Sequence, residues 1–137
     1  MELTPYSYPS VFKWRDDKIL VCYIGNNKPQ NLQGKYNLTY MSMSQCDFKQ
    51  VEQWDLLIIE MKKEHLDEIL KWVFSLQCIK KVPILAITYN FDIKDKLLLN
   101  NFGIRDYIDG YYDIQVIHNK LDDMVQMINW KHTENNR

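Results

Sequence analysis

Short apolar runs of strand length recur along this chain and constrain its fold more than any other feature. The runs Ile19–Ile24, Leu56–Ile59 and Val82–Ile87 are apolar throughout and are separated by longer, more polar segments. A strand with one face in water alternates apolar and polar residues, whereas a strand covered on both faces is apolar throughout. The runs therefore predict buried strands of a parallel sheet with helices on both of its faces.

Apolar residues at helical spacing follow these runs. A spacing of three and four residues places such side chains on one face of a helix. The segments Tyr36–Met43 and Arg105–Ile108 are predicted as two further strands, and the second helix is predicted to close near Gly103. Residues 26–35 have no helical stripe and are predicted to form a loop. The three stripes are Leu66, Ile69, Leu70, Val73 and Leu76, then Ile93, Leu97 and Leu98, and finally Ile114, Ile117, Leu121, Met124, Val125 and Ile128.

Length and composition limit the classes of function. A chain of 137 residues with 46% hydrophobic and 26% charged residues suits one packed domain. Seventeen basic and eighteen acidic side chains argue against a broad nucleic-acid surface, because phosphate contacts need clustered Lys and Arg. No apolar run approaches the roughly 20 residues that cross a bilayer, so no membrane contact is expected. The three cysteines form no CxxC pair, which favours a reduced, cytoplasmic compartment.

The chain is predicted to have three parts. Residues 1–17 form an N-terminal arm, residues 18–130 form the folded domain, and residues 131–137 are a polar tail or the start of a linker. Two prolines interrupt any helix in the arm, yet its four aromatic side chains are unusual for a solvated tail. Because the loop at 26–35 supplies no first helix, we expect the arm to pack on the core in its place.

Few residues offer catalytic or metal chemistry. The three histidines lie far apart without cysteines or carboxylates at ligand spacing, so neither a metal nor another cofactor is predicted. Cys22, before Gly25, resembles in its placement the phosphocysteine of sugar-phosphotransferase IIB domains, where backbone N–H groups cradle phosphate. The loop after it lacks the small residues of those domains. A buried structural cysteine is therefore the favoured interpretation.

Three segments, taken in order, resemble the receiver domain of two-component response regulators over about residues 18–130. Asp55–Met61 resembles the third strand, which ends in that family at the phosphorylated Asp. Val82–Thr88 resembles the fourth strand, which ends at the Thr or Ser that senses phosphorylation. Gly103–Ile108 resembles the segment leading through the fifth strand, with Tyr107 at the switch aromatic. The resemblance implies an α/β, flavodoxin-like fold: a five-stranded parallel sheet of order 2-1-3-4-5, with the first helix degenerate or missing.

The resemblance also implies where phosphorylation chemistry would lie, and three of its four parts are replaced. The family uses two carboxylates for a divalent metal, an Asp acceptor, a Thr or Ser, and a Lys after the fifth strand. The acidic pair aligns with Tyr23 and Ile24, and the acceptor aligns with Glu60. The Lys aligns with Gly110, whereas Thr88 is kept. The resemblance thus implies a pseudo-receiver without catalytic residues or a metal.

Glu60 suggests a further hypothesis, because a glutamate carries its carboxylate one methylene farther than an aspartate. It could imitate the phosphorylated state permanently, with the missing positive charge supplied by Lys62, Lys63 or Lys94. The competing interpretation is an ordinary solvated carboxylate at a strand end.

The function implied by the resemblance is regulatory and non-enzymatic, through protein–protein contact. Such a domain could be the N-terminal part of a transcription regulator, with DNA contacted only by an output domain outside this chain. In receivers the face of helix four, strand five and helix five carries dimerisation, and Thr88 with Tyr107 keeps the switch pair. This face is therefore expected to bind a protein partner or a second copy. The alternatives are a IIB-like domain phosphorylated on Cys22 and an unrelated flavodoxin-like binding module. The expected anchors of the face are Tyr107, Tyr111, Tyr112 and Ile114.

Overall fold

All five expected strands form in the computed structural model, which describes residues 19–26, 36–45, 53–110 and 114–135, the last of these with side chains only at 115–128. Short 3-10 turns lie at Met43–Gln45 and Lys63–His65. The strands are β1 (Ile19–Ile24), β2 (Tyr36–Met41), β3 (Leu56–Lys62), β4 (Ile84–Tyr89) and β5 (Asp106–Asp109), and the helices are α1 (Leu66–Ile79), α2 (Ile93–Asn101) and α3 (Ile114–Asn135).

The strands make one parallel sheet in the order β2-β1-β3-β4-β5, which confirms the predicted fold and strand order. The register pairs Ile24 with Ile59 and Glu60 with Ile87, so the ends of these strands are aligned across the sheet. Because every pairing is parallel, the carboxyl ends of all five strands lie at one edge. In an open α/β sheet this edge is where ligands and reacting groups are usually found.

Alternate residues of the strands pack into two separate hydrophobic layers. Leu57 and Ile59 belong to the layer under α1 and α2, whereas Ile58 belongs to the layer under α3. The five apolar residues of the α1 stripe are all buried, as are Ile117, Leu121 and Met124 of α3. Burying a large apolar side chain contributes about 1.5–3 kcal/mol, so the two layers are the main source of stability.

Helix α2 corrects one expectation about its buried face. Its predicted stripe would place Ile93 and Leu97 inside, but these residues are 75% and 59% exposed, and Leu99 is the fully buried one. Leu98, the third member of the stripe, is half-buried against the core as expected. The helix packs on the sheet through its C-terminal end, so apolar spacing was wrong for Ile93 and Leu97 only. Gly103, with φ of +79°, ends the helix as expected, and its N–H donates to the Asn100 carbonyl.

Several strand bounds also differ by one to three residues from those expected. The second strand ends at Met41, β4 starts at Ile84, and β3 and β4 extend to Lys62 and Tyr89. Helix α3 runs through Asn135, into the segment expected to be a tail or linker.

The predicted N-terminal arm lies outside the described residues, as do residues 27–35, 46–52 and 111–113. Expectations for these segments, including the anchors Tyr111 and Tyr112, stay predictions. No helix of the described ranges is long and apolar enough to cross a membrane.

Candidate functional site

Glu60, at the carboxyl end of β3, is the centre of the candidate site. Its Oε2 atom accepts a hydrogen bond of 2.5 Å from the Tyr23 hydroxyl, and its Oε1 atom accepts one of 3.0 Å from the Asn26 backbone N–H. The side chain is half-buried. Both oxygens of the carboxylate therefore bind groups of β1 and of the turn that follows it.

Gly25 allows this close approach. A Cβ atom at this position would lie 2.3 Å from Cδ and 2.5 Å from Cγ of Glu60, so any other residue here would force the Glu60 side chain to move. The Gly25 N–H donates to the Met41 carbonyl at the end of β2. The turn is thus held from both sides, by Glu60 and by β2, and its glycine makes room for the longer side chain of a glutamate.

The two positions of the family's acidic pair point to opposite faces of the sheet. Tyr23 is fully buried in the layer under α3, with its ring 5.7 Å from that of Tyr40. Ile24 is buried in the layer under α1. Neither side chain carries a carboxylate. Within the described ranges, no three or more His, Cys, Asp and Glu side chains are grouped so that they could hold a metal ion.

Thr88, which the resemblance to receivers aligns with their Thr or Ser, makes its contacts within the sheet. Its side chain is buried and its hydroxyl donates a hydrogen bond of 3.3 Å to the Ile108 carbonyl on β5. The Thr88 carbonyl in turn accepts from the Gly110 N–H at 2.8 Å. These contacts fasten the end of β4 to the end of β5.

The ring of Tyr89 fills the space beside Gly110, where the family has its lysine. A Cβ atom at Gly110 would lie 2.1 Å from Cε1 of that ring. Tyr89 packs against the layer under α3, so its ring is not a freely moving surface group. The Tyr89 ring therefore occupies the space that a lysine side chain at position 110 would need.

Tyr107 lies on β5 and is half-buried against the layer under α1 and α2. The Lys96 ammonium lies 5.8 Å from the centre of its ring, within the range of a cation–π contact. Thr88 and Tyr107 are thus on adjacent strands, as the expected switch pair requires. Ile114 is the first residue of α3, and its side chain is not among those described.

A cleft of about 390 Å³ opens at this edge of the sheet, between the end of β1 and the start of α1. Glu60 and Lys62 line it together with Asn26 and Ser42. Of the three lysines considered as sources of positive charge, Lys62 therefore shares the cleft with Glu60.

Lys63 instead binds the start of α2. Its ammonium lies 3.1 Å from Asp92 Oδ2 and 3.4 Å from Asp95 Oδ2. Asp92 and Asp95 also form a reciprocal cap, in which each side chain accepts from the other's backbone N–H. The backbone N–H of Asp95, followed by the Lys63 ammonium, lowers the pKa of Asp92 to about 2.

Sequence reasoning missed three features of the site: the Asn26 donor, the fit of the Tyr89 ring beside Gly110, and the cap at the start of α2. The Asn26 backbone donor had no sequence signal, because every residue except proline has a backbone N–H. The complementarity of Tyr89 and Gly110 depends on the pairing of β4 with β5. The cap was visible, since Asp92 and Asp95 are three residues apart directly before an apolar helix.

The thiol of Cys22 is fully buried in the layer under α1. A phosphoryl donor must reach the sulfur atom in the IIB-like alternative, and this position is closed to a donor in solution. The burial agrees with the favoured interpretation of a structural cysteine.

Comparisons with known proteins agree on the fold. No family model matches the chain, and no curated protein matches it in sequence. Its structure is similar to that of a response regulator CheY-like protein from Mesorhizobium loti, with a TM-score of 0.56 and 13% identity over 77% of this chain and 98% of that one. It is also similar to the pilus assembly protein CpaE from Caulobacter crescentus, with a TM-score of 0.53 and 11% identity over 76% and 92% of the two chains. The chain has the flavodoxin-like fold of response-regulator receivers.

Proposed function

We propose that this chain is a pseudo-receiver, a regulatory domain that works through protein–protein contact and neither accepts nor transfers phosphoryl groups. The observation that supports this most is the hydrogen bond between Tyr23 and Glu60. In a receiver, the corresponding positions on the first and third strands hold a metal ligand and the phosphoryl acceptor. Here a phenol binds the carboxylate directly.

The charges of the site support the same proposal. Phosphoryl transfer places negative charge on three oxygens, which a metal ion and a lysine normally neutralise. Tyr23 and Ile24 replace the metal ligands, and the ring of Tyr89 occupies the space beside Gly110. The Thr88 hydroxyl already donates to the Ile108 carbonyl. A phosphoryl group at Glu60 would therefore have little to stabilise it.

Intact-mass spectrometry after incubation with acetyl phosphate and magnesium tests the chemical part of the proposal. We expect no phosphoryl adduct on the wild type. We expect none on a Glu60→Asp variant, because restoring the acceptor restores neither the metal ligands nor the lysine. An adduct on the wild type would contradict the proposal, and its position would identify the alternative: Cys22 for a IIB-like domain, Glu60 for a working receiver.

The contact surface of this pseudo-receiver is proposed to be the face formed by α2, β5 and α3. Exposed apolar side chains on its two helices favour this choice: Ile93 and Leu97 of α2 are 75% and 59% exposed, and Val116 of α3 is 44% exposed. Tyr107 lies on the strand between the two helices. Because no phosphorylation would drive the Thr88 and Tyr107 pair, we propose that the face is held in one state and binds its partner, or a second copy, constitutively.

Light scattering tests the version with a second copy. We expect a dimer of the wild type that is weakened by Tyr111→Ala with Tyr112→Ala, and also by Ile93→Ser with Leu97→Ser. Phe74→Ser is the matched control, since Phe74 is 61% exposed but lies on α1, outside this face. A monomer at high concentration, or a dimer unaffected by either pair of changes, would refute self-association through this face.

Two biological settings are compatible with such a domain. The first is the N-terminal part of a cytoplasmic transcription regulator, as the resemblance to receivers implies. The second is a pilus assembly protein, and it is favoured by the structural similarity to CpaE from Caulobacter crescentus. The natural reading frame distinguishes them: a DNA-binding domain following Arg137 would support the first setting and argue against the second.

A further inference from the structure

A second cleft lies at the opposite edge of the sheet, away from Glu60. It has a volume of about 750 Å³ and is formed by the C-terminal ends of α1 and α2 together with the segments that lead into β4 and β5. The side chains that matter for its chemistry are Phe74, Cys78, Lys81, Val82, Phe102 and Arg105. Neither the proposed contact face nor the degenerate phosphorylation site uses these residues.

Two phenylalanines make part of this cleft apolar. Phe74 is 61% exposed, although its neighbour Val73 on the same helix is fully buried. Phe102 is half-buried against the core at the end of α2. A partner that covers a ring this exposed removes apolar surface from water, which favours binding. Aromatic residues are also among the strongest anchors of protein interfaces.

The polar framework of the cleft is fixed before any partner binds. The Gln77 side-chain amide makes two hydrogen bonds with the backbone of Val82, donating to its carbonyl at 3.3 Å and accepting from its N–H at 3.1 Å. The carbonyl of Pro83 accepts from the Leu57 N–H, which ties the same segment to β3. The backbone directly after Lys81 is therefore held by α1 and by β3, so binding a partner there would cost little backbone entropy.

Positive charge is available at this cleft. Lys81 and Arg105 are both exposed, and neither forms an ion pair within 4 Å with another residue of the described ranges. Among the described residues that line the cleft, Asp106 carries the one carboxylate, and it lies 3.2 Å from the Lys120 ammonium on α3. The cleft thus combines an exposed aromatic ring with two cations that have no ionic partner in the described part of the chain.

We propose that this cleft binds an acidic segment of a partner protein. An aromatic or aliphatic side chain of that segment would pack on Phe74 and Phe102, and neighbouring carboxylates would pair with Lys81 and Arg105. Charge complementarity selects an acidic partner. Two cations are too few for a nucleic-acid backbone, which proteins bind through larger groups of Lys and Arg. Arginine also forms paired hydrogen bonds with a carboxylate, which would fix the orientation of the segment.

A peptide selection tests the proposal directly. The immobilised full chain would be screened against a phage-displayed library of random dodecapeptides, and enriched peptides would be measured by fluorescence anisotropy. We expect enriched peptides in which Phe, Leu or Trp stands next to Asp or Glu. Their affinity should fall at least tenfold in Phe74→Ser and in Lys81→Glu with Arg105→Glu, and it should weaken as salt is raised.

The matched controls change exposed residues elsewhere. Leu97→Ser should leave peptide binding unchanged, as should Lys62→Glu with Lys94→Glu, and thermal melting would show that all variants fold. Enriched peptides without carboxylates, peptides insensitive to the cleft variants, or a screen without enrichment would each overturn the proposal. A wild-type dimer abolished by Phe74→Ser would overturn it as well, because the occupant would then be a second copy of this chain.

Discussion

The hydroxyl of Tyr23 lies 2.5 Å from the Oε2 atom of Glu60, so a phenol on β1 binds the carboxylate at the end of β3. The contact joins two adjacent strands at the edge where receivers carry out phosphoryl transfer. The Asn26 backbone N–H donates to the other carboxylate oxygen of Glu60, and the absence of a side chain at Gly25 leaves room for the Glu60 side chain. In this chain the contact is a structural connection between β1 and β3.

This connection should be measurable as a coupling energy. Tyr23→Phe removes the hydroxyl, and Glu60→Gln removes the charge and replaces one of two acceptor oxygens by a donor. Each change should lower the free energy of unfolding by about 1.5–3 kcal/mol, the range for hydrogen bonds to charged groups. In the double variant the two losses should not add, with a coupling energy of about 1 kcal/mol or more. Urea unfolding of the four proteins gives this quantity.

Glu68→Gln is the control for this cycle, because Glu68 lines the same cleft and is exposed. Its effect should stay within about 0.5 kcal/mol, as for most surface substitutions. Additive losses in Tyr23→Phe with Glu60→Gln would mean that the hydrogen bond contributes nothing to the folded state.

The contact between Tyr89 and Gly110 leads to a second prediction. Gly110→Ala would place a methyl group 2.1 Å from the Tyr89 ring, so the ring must move out of its packing. We expect a loss of about 1–3 kcal/mol, as for other overpacked sites, with a lower melting temperature. In a Tyr89→Ala background the same change should cost much less. Equal losses in the two backgrounds would show that the ring is not the obstacle.

The sequence was sufficient for the fold because burial on both faces makes strands apolar throughout. Ile19–Ile24 and Leu56–Ile59 were identifiable for that reason, and the order of the sheet came with the resemblance to receivers. The stripe on α1 was also correct in every residue, since a helix packed along its whole length buries one continuous face. Helix α2 packs mainly by its end, so the spacing of Ile93 and Leu97 predicted burial that the structure does not have.

The candidate site was predictable only as a set of positions. Alignment to the family placed Glu60, Thr88 and Gly110 at the strand ends, and all three lie there. What each of them contacts depends on strand register and on turn geometry, which a single sequence does not encode locally. The partner of Glu60 was sought among the lysines, whereas the structure shows hydrogen bonds to Tyr23 and to the Asn26 backbone.

The cap at the start of α2 predicts a dependence of stability on acid. The pKa of Asp92 is lowered to about 2, whereas an unfolded Asp titrates near 3.9. Between these values the unfolded chain binds a proton that the folded chain does not, so the contribution is present above about pH 4 and is lost as the pH falls toward 2. Asp92→Asn keeps a good capping residue but removes this titration.

Urea unfolding at several pH values between 2 and 5 measures that difference. The stability of Asp92→Asn should fall less steeply with acid than that of the wild type. Asp67→Asn is the control, because Asp67 is an exposed carboxylate in the first turn of α1. Parallel curves for the wild type and Asp92→Asn would contradict the assignment of the low pKa.

The hydrogen bond from the Tyr36 hydroxyl to Asp122 Oδ1 joins β2 to α3 and predicts sensitivity to alkali. Burial of the ring, together with the neighbouring carboxylate, raises the pKa of Tyr36 above its usual value of 10. A group whose pKa is raised by folding stabilises fully below its unfolded pKa, and that contribution is lost as the pH rises through the folded value. The wild type should therefore lose stability above about pH 10.

Tyr36→Phe separates this contribution from the rest of the alkaline response. At pH 7 it should lower the free energy of unfolding by about 1.5–3 kcal/mol, because the hydroxyl donates to a charged group. Above pH 10 the difference from the wild type should narrow, since the unfolded wild type then loses a proton that the folded protein keeps. The difference in free energy of unfolding between Asp122→Asn and the wild type should also narrow above pH 10. The difference for Asp123→Asn, at the exposed neighbouring position, should stay constant. A constant difference between Tyr36→Phe and the wild type from pH 7 to pH 11 would show that the hydroxyl does not titrate in this way.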